Sequence, residues 1–291
     1  MKPPDREQVA CALLAFYLDA GVDAVIDEIA ADRLDGAAAK GSSAARATAA
    51  IADSRPPNAG RAIDRERPVV GRPGHRESVP GPAAPTPPSP DAAVMAAREM
   101  ARSAGNLDEL RAILERFEGC ALRATASRLV FADGNPAAPV MFVGEAPGRD
   151  EDLAGLPFVG RSGKLLDRML AAIGLDRSCA YIANIVPWRP PGNRTPTPQE
   201  SAICLPFVRR QIELADPNLL VCLGQPATQA LLGTTDGITR TRGRSFAYHT
   251  GAREIRAIPT FHPAYLLRQP LQKRLAWRDF LTIKKALASG G

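Results

Sequence analysis

Four short runs of continuous apolar residues constrain this chain more than any other feature. Each ends in a segment rich in glycine, proline or polar groups. The runs cover residues 140–143, 181–186, 219–223 and 255–260. A strand with one wet face alternates apolar and polar residues, whereas a strand covered on both faces has no reason to. All four runs are of the second kind. Helical patterns lie between them. Leu165, Leu166, Met169, Leu170 and Ile173 recur at helical spacing and stop at Gly174. Thr197-Pro198-Gln199-Glu200 supplies a reciprocal N-terminal cap with proline at the first helical position. A basic helix closes the chain over 271–287. This alternation predicts a three-layer α/β/α sandwich around a central, mostly parallel, four-stranded sheet. Ligands of such sheets bind beyond the carboxyl ends of the strands. The segments that follow each apolar run are therefore the ones to read for chemistry.

Toward the N-terminus the pattern weakens. Residues 1–33 read as a helical segment, with Val9, Leu13, Tyr17 and Leu18 at helical spacing. Residues 34–90 are rich in Pro, Ala and Arg, with ten prolines from Pro56 to Pro90. Such a stretch builds neither helix nor ladder hydrogen bonds and reads as a disordered linker. Order returns with helices from Ala92 and Leu107, the second capped by Asn106 with Glu109. Residues 91–291 are expected to form one compact domain.

At 291 residues the chain has room for about two domains. Its 45% hydrophobic and 23% charged residues exclude a wholly disordered protein. No apolar run reaches the roughly 18–20 residues that span a bilayer. The apolar stretch 9–18 is too short and too poorly flanked to be a signal peptide. No membrane partner and a cytoplasmic address are expected. The net charge of +6 permits an anionic partner without demanding one. Five cysteines without a CxxC pair argue against a disulfide framework, and three histidines leave few general bases.

Four segments carry candidate chemistry. Gly144-Glu-Ala-Pro-Gly148 follows the first run, and its backbone amides suit an anion or a carbonyl oxygen. Taken alone, a glycine turn after a strand is structural more often than it is a site. In Leu156-Pro157-Phe158-Val159-Gly160, Phe158 either plugs the core or offers a flat wall to an aromatic ring. Asn184, inside an apolar run, must be hydrogen-bonded or it costs roughly 1–3 kcal/mol. It bonds either to its own fold or to a ligand such as a nucleobase edge. Arg189-Pro-Pro-Gly-Asn-Arg194 is rigid, basic and suited to phosphates. His262-Pro-Ala-Tyr265-Leu266-Leu-Arg268 presents a histidine held by proline, then an apolar tip beside a base, the makings of a wedge into a base stack.

Together these segments resemble family 4 uracil-DNA glycosylases, from about Phe117 to the end of the chain. The resemblance rests on Met141-Phe-Val-Gly-Glu-Ala-Pro-Gly148, Pro157-Phe-Val-Gly-Arg161, Arg189-Pro-Pro-Gly-Asn-Arg194 and His262-Pro-Ala-Tyr-Leu-Leu-Arg268. It implies that residues 91–291 are a catalytic domain that flips uracil out of DNA and hydrolyses its N-glycosidic bond. By that resemblance Glu145 places or activates water; were variants of Glu145 and His262 to keep their rates, Glu151 or Asp152 would be next in line. Phe158 stacks on uracil, Asn184 reads its edge, and His262 bonds the pyrimidine oxygen as negative charge grows on the leaving base. Gly144 and Ala146 belong to the substrate pocket. Arg189, Asn193, Arg194, Tyr265, Leu266 and Arg268 belong to the DNA contact. A hydrogen bond to neighbouring backbone is expected to fix the orientation of the Asn184 amide. A monomer acting on uracil-containing DNA is expected.

The resemblance also implies a [4Fe–4S] cluster held by four cysteines. Cys120 and Cys204 match two of them. Phe117 and Trp188 stand where the other two belong. Two thiolates hold such a cluster only if non-cysteine ligands complete the site, so no cofactor is expected. No His-containing basic insertion lies beside Asn193, which favours turnover over covalent trapping. A second reading keeps the fold as a catalytically silent DNA-binding protein. The missing cysteines favour it, and the retained Glu145, Asn184 and His262 oppose it. A nucleotide phosphate loop at 144–148 is excluded by the absence of a following Lys-Ser/Thr.

Overall fold

The structure is a computed structural model and describes residues 90–289. The helix expected within 1–33 and the linker expected over 34–90, save Pro90, lie outside the described residues.

The four apolar runs become β2 (Val140–Gly144), β3 (Tyr181–Asn184), β4 (Leu219–Leu223) and β6 (Glu254–Thr260). They are the four central strands and pair in parallel throughout, β3 on β2, β2 on β4 and β4 on β6. The sheet has six strands rather than the expected four. A two-residue β1 (Asp133–Gly134) adds antiparallel to β3, and β5 (Phe246–His249) adds antiparallel to β6, giving the order β1-β3-β2-β4-β6-β5. Both additions are edges. Edge strands need not be covered on both faces: β1 has no apolar side chain, and of the short apolar run Phe246-Ala-Tyr248 in β5 only Tyr248 is buried.

Each central strand feeds two cores, because successive side chains point to opposite faces. Met141 and Val143 of β2 face one way, with Leu220 and Cys222 of β4. Above them pack α1 (Pro90–Ser103), α2 (Leu107–Arg116), α6 (Pro198–Ala215) and α7 (Gln225–Leu232). Val140 and Phe142 face the other way, against Leu166 and Leu170 of α5 (Arg161–Ala172) and Phe280 and Ile283 of α10 (Lys273–Ala288). Phe142 is fully buried, its ring 6.2 Å from that of Phe280. Truncating such a side chain costs about 3–5 kcal/mol.

The caps read from the sequence are formed. Asn106 accepts from Glu109 N at 2.9 Å, while Glu109 accepts from the Asn106 side-chain amide at 2.8 Å and from Gly105 N at 2.6 Å, one residue before the cap itself. Thr197 accepts from Glu200 N at 3.1 Å, while Glu200 accepts from Thr197 N at 2.7 Å. Short helices α3 (Leu122–Thr125), α4 (Arg149–Ala154), α8 (Ile238–Thr241) and α9 (Pro263–Arg268) complete the domain. Helices α4 and α9 sit in the segments that follow β2 and β6, so they deliver side chains to the carboxyl end of the sheet.

Candidate active site

All four candidate segments converge on one cleft of about 190 Å³ beyond the carboxyl ends of the parallel strands. Its walls include Glu145, Ala146, Phe158, Asn184 and His262. Gly144, the last residue of β2, lies at the meeting point of two of them. A Cβ there would stand 2.5 Å from Asn184 Oδ1 and 2.6 Å from Phe158 Cζ, so only glycine lets the strand pass.

Glu145 is half-buried, and its Oε1 is buried with no hydrogen-bond partner among protein atoms. Burial raises its carboxyl above the usual range and makes the ionised form a stronger base. Asn184 ends β3 and is 5% exposed, with Oδ1 buried and unpartnered. The backbone bond expected to orient its amide is not formed. The backbone here spends both its amides and its carbonyls on itself, Ile185 N donating to Gly144 O at 2.9 Å and Val186 N to Glu145 O at 3.0 Å.

Phe158 is at once a core residue and a cleft residue. It is 4% exposed and joins the core beneath α5, yet it also lines the cleft. Its ring centroid lies 5.5 Å from that of His262, the planes tilted by 32°. Its φ is +55°, a left-handed conformation that costs a non-glycine residue about 1–3 kcal/mol.

His262 caps α9. Its Nδ1 accepts from Ala264 N at 3.1 Å, which leaves the ring proton on Nε2. Burial first, and the charge of Arg268 second, lower its pKa to about 4. The imidazole is therefore neutral near pH 7 and acts as a donor through Nε2. Gly224, at φ +90°, leaves room for it, since a Cβ there would come within 2.9 Å of His262 Cβ.

The DNA-contact candidates divide. Arg189 donates to Asn193 Oδ1 at 2.6 Å, which stiffens the exposed turn between β3 and α6. Arg194 lines the cleft but spends both terminal nitrogens on Glu200, at 2.8 and 2.6 Å. Tyr265 is half-buried, its ring 5.0 Å from that of Phe261. Leu266 is corrected: it is fully buried among Phe261 and Ala276 and forms no tip. Its neighbour Leu267 is the exposed leucine and lines a second, shallower depression with Arg161 and Arg268. A two-leucine run on a short helix does not reveal which side the rest of the fold will cover.

Glu151 and Asp152, the reserve acids, are both buried and bound to backbone. Glu151 accepts from Gly148, Val159 and Gly160 amides at 3.1, 3.1 and 3.0 Å. Asp152 accepts from Ser127 and Arg128 amides at 2.8 and 3.3 Å. Both tie loops together. Ser162, at the start of α5, lines the cleft and was not singled out in the sequence. Nothing local marks it.

The positions that the resemblance gives to a cluster do not fit one. Cys204 donates to Cys120 across 4.0 Å, and Phe117 and Trp188 stack beside them. That bond holds the Cys120 thiol below its ordinary pKa and pushes that of Cys204 well up, with burial adding to the second. Among the described residues, no group of three or more His, Cys, Asp or Glu side chains is placed to hold a metal ion. No helix among them is long and apolar enough to cross a membrane.

Comparison with known proteins agrees with this geometry. The model of the uracil DNA glycosylase superfamily matches residues 131–281. A type-4 uracil-DNA glycosylase of Archaeoglobus fulgidus is 41% identical over 182 residues, 61% of this chain and 92% of that protein. One of Thermotoga maritima is 42% identical over 156 residues, 53% and 80% of the two chains. One of Saccharolobus solfataricus is 37% identical over 189 residues, 63% and 88%.

Proposed function

The chain belongs to the uracil-DNA glycosylase superfamily, and on that premise we infer that it excises uracil from DNA by hydrolysing the N-glycosidic bond, leaving an abasic site. One observation carries the assignment of roles. Two buried polar atoms without partners, Glu145 Oε1 and Asn184 Oδ1, belong to residues that line the same cleft as Phe158 and His262. A fold does not leave two such atoms orphaned in one place without cost. A nucleobase and a water satisfy both.

The chemistry follows from those residues. Uracil cannot be reached inside a duplex, so the nucleotide is extruded into the cleft. Its ring lies on Phe158. Asn184 accepts from N3–H with Oδ1 and donates its NH₂ to O4. As the glycosidic bond lengthens, negative charge gathers on the base and positive charge on the sugar. His262 Nε2–H meets the first, and it needs no net charge to do so. The Glu145 carboxylate faces the second and positions the attacking water. Gly144 and Ala146 shape the pocket. Arg189, Asn193 and Arg268 bear on phosphates. Leu267, with Tyr265 behind it, replaces Leu266 as the apolar tip, and Arg194 serves chiefly to fix the turn through Glu200.

The enzyme reads as a cytoplasmic monomer without an iron–sulfur cluster, since stacked rings occupy two of the four ligand positions. Those rings also brace the fold, which weakens the case for a silent DNA binder. The deciding assay incubates the protein with a uracil-containing oligonucleotide and cleaves with alkali. Strand scission at uracil is expected, and none at the matching thymine. A folded chain that binds the oligonucleotide and leaves it intact would establish the silent binder instead.

A further inference from the structure

We propose that Arg177 is a positioning residue for base excision, holding Phe158 in the one backbone conformation that lays its ring along the cleft. The proposal rests on the reading that Phe158 stacks on the extruded base.

Arg177 lies in the turn Arg177–Cys179 that leads into β3, and it does not line the cleft. Its guanidinium reaches the loop from behind. Nη1 donates to Pro157 O at 3.1 Å, and Nη2 donates to Phe158 O. Two acids aim the fork. Nε donates to Asp167 of α5 at 2.8 Å, and Nη1 pairs with Asp133 of β1. A planar guanidinium anchored at two points spans two adjacent carbonyls, a geometry the single ammonium of lysine does not reproduce.

Phe158 needs that grip. A phenylalanine at φ +55° crowds its own Cβ against the backbone and relaxes elsewhere unless its surroundings hold it. The carbonyl of Phe158 is pressed against α5, where a Cβ on Gly163 would come within 1.6 Å of the oxygen. Water has little access there, so Arg177 supplies the donor that this carbonyl requires. On the far side, Glu151 takes the amides of Val159 and Gly160. Arg177 thus holds the peptide groups before and after Phe158 by their carbonyls, and Glu151 holds the second of them by its amide. Releasing one side lets the ring leave its plane beside His262.

The test is a double-mutant cycle on the full chain with Arg177→Met, Phe158→Ala and the pair, using single-turnover uracil release. Displacing a group in contact with substrate by about 1 Å costs on the order of 10²-fold. Arg177→Met is expected to fall by about that factor, close to Phe158→Ala. The double variant should be no slower than the worse single one, because Arg177 acts only through the ring. Inhibition by free uracil should weaken in parallel, while affinity for undamaged duplex stays within about threefold, since phosphate contacts dominate it. Arg177→Lys keeps a positive charge between Asp133 and Asp167, so it serves in the same cycle should the Met variant fail to fold. It is expected to lose rate to an intermediate degree. Losses that multiply in the double variant, or a parental rate in both Arg177 variants, overturn the proposal while leaving the enzyme reading intact. A parental chain that releases no uracil overturns both.

Discussion

The rings of Phe117 and Trp188 stack with centroids 6.5 Å apart and planes 17° from parallel, beside thiols of Cys120 and Cys204 that stand 4.0 Å from each other. Phe207 closes the group edge-on to Phe117 at 4.9 Å. Phe117, Trp188, Cys120 and Cys204 are each no more than 2% exposed. Trp188 immediately precedes Arg189, so whatever fills this volume fixes the start of the basic turn beside the cleft. Packed aromatic rings do that by excluding alternatives, at the density usual for a protein core.

This arrangement makes the iron content a direct check. Purified without oxygen, the protein should be colourless and carry far less than one iron per chain. Trp188→Ala should cost about 3–5 kcal/mol in thermal or denaturant unfolding, as for other buried aromatics. Stoichiometric iron with broad visible absorption would mean that other ligands complete the site and that the rings are not its replacement.

Catalysis and binding should separate cleanly. Glu145→Ala and His262→Ala are each expected to lower the single-turnover rate by roughly 10²-fold or more, the usual effect of losing a water-positioning base or a donor to a developing anion. Affinity for duplex should change far less in both. Parental rates in two folded variants would move the chemistry out of this cleft, because Glu151 and Asp152 are already committed to backbone amides.

The pH response follows from two burial effects. His262, with its pKa lowered to about 4, should stay neutral in a proton-resolved NMR titration of its ring until well below pH 6, and the excision rate should show no step near 6.5. The raised carboxyl of Glu145 instead sets the acid limb, above the ordinary glutamate value. For stability the sign is as follows. The unfolded chain binds a proton at His262 near 6.5, whereas the native ring refuses it until about 4. The contribution of this histidine is complete above 6.5 and is lost as pH falls from there toward 4. A ring that titrates near 6.5 in the folded protein would refute the assignment.

Much of this was legible in the chain itself, for physical reasons. Three of the four central strands are buried along their whole length and show as apolar runs, while β6 begins half-covered, with Glu254 and Arg256 exposed, and is buried from Ala257 onward. The candidate site residues Glu145, Asn184 and His262 lie at or just beyond the ends of those strands, which is where the sequence directs attention. Strand β5 was not visible, because its apolar run Phe246-Ala-Tyr248 is short and only Tyr248 of it is buried at this edge. Leu266 and Leu267 are adjacent, and only the packing of α9 on Phe261 and Ala276 decides which is buried. Arg177 gave no signal at all. Its partners Asp133 and Phe158 lie 44 and 19 residues away, and an arginine in a polar turn looks solvated until the fold brings them together.

The domain boundary is open to a truncation series. Helix α1 puts Ala93, Ala97 and Ala101 into the core it shares with α6. Removing residues 1–89 should leave excision within about an order of magnitude on short oligonucleotides, because every motif lies beyond them. Removing α1 as well should lower the melting temperature, since it strips apolar cover from α6. An inactive but folded 90–291 fragment would place part of the catalytic machinery upstream.

Asn184 offers the sharpest test, because its two substitutions should separate function from stability. Its Oδ1 is buried without a partner, a state that costs roughly 1–3 kcal/mol. Asn184→Leu replaces the amide with an apolar group of similar shape. Thermal stability should hold or rise, while uracil release falls by 10²-fold or more, the pattern of a residue kept for its ligand. Asn184→Asp keeps the acceptor and loses the donor. Its carboxylate repels uracil O4, so excision should again drop by roughly 10²-fold, because a site left with an unpaired polar group discriminates strongly. No backbone bond fixes the amide, so it is free to turn toward either pattern of donor and acceptor. The Asp variant is therefore expected to gain a trace of cytosine release, since a carboxylate accepts from cytosine N4. The opposite pattern, with Asn184→Leu less stable and Asn184→Asp excising uracil at the parental rate, would make this amide a structural one. Backbone groups of the Gly144–Gly148 turn would then have to read the base.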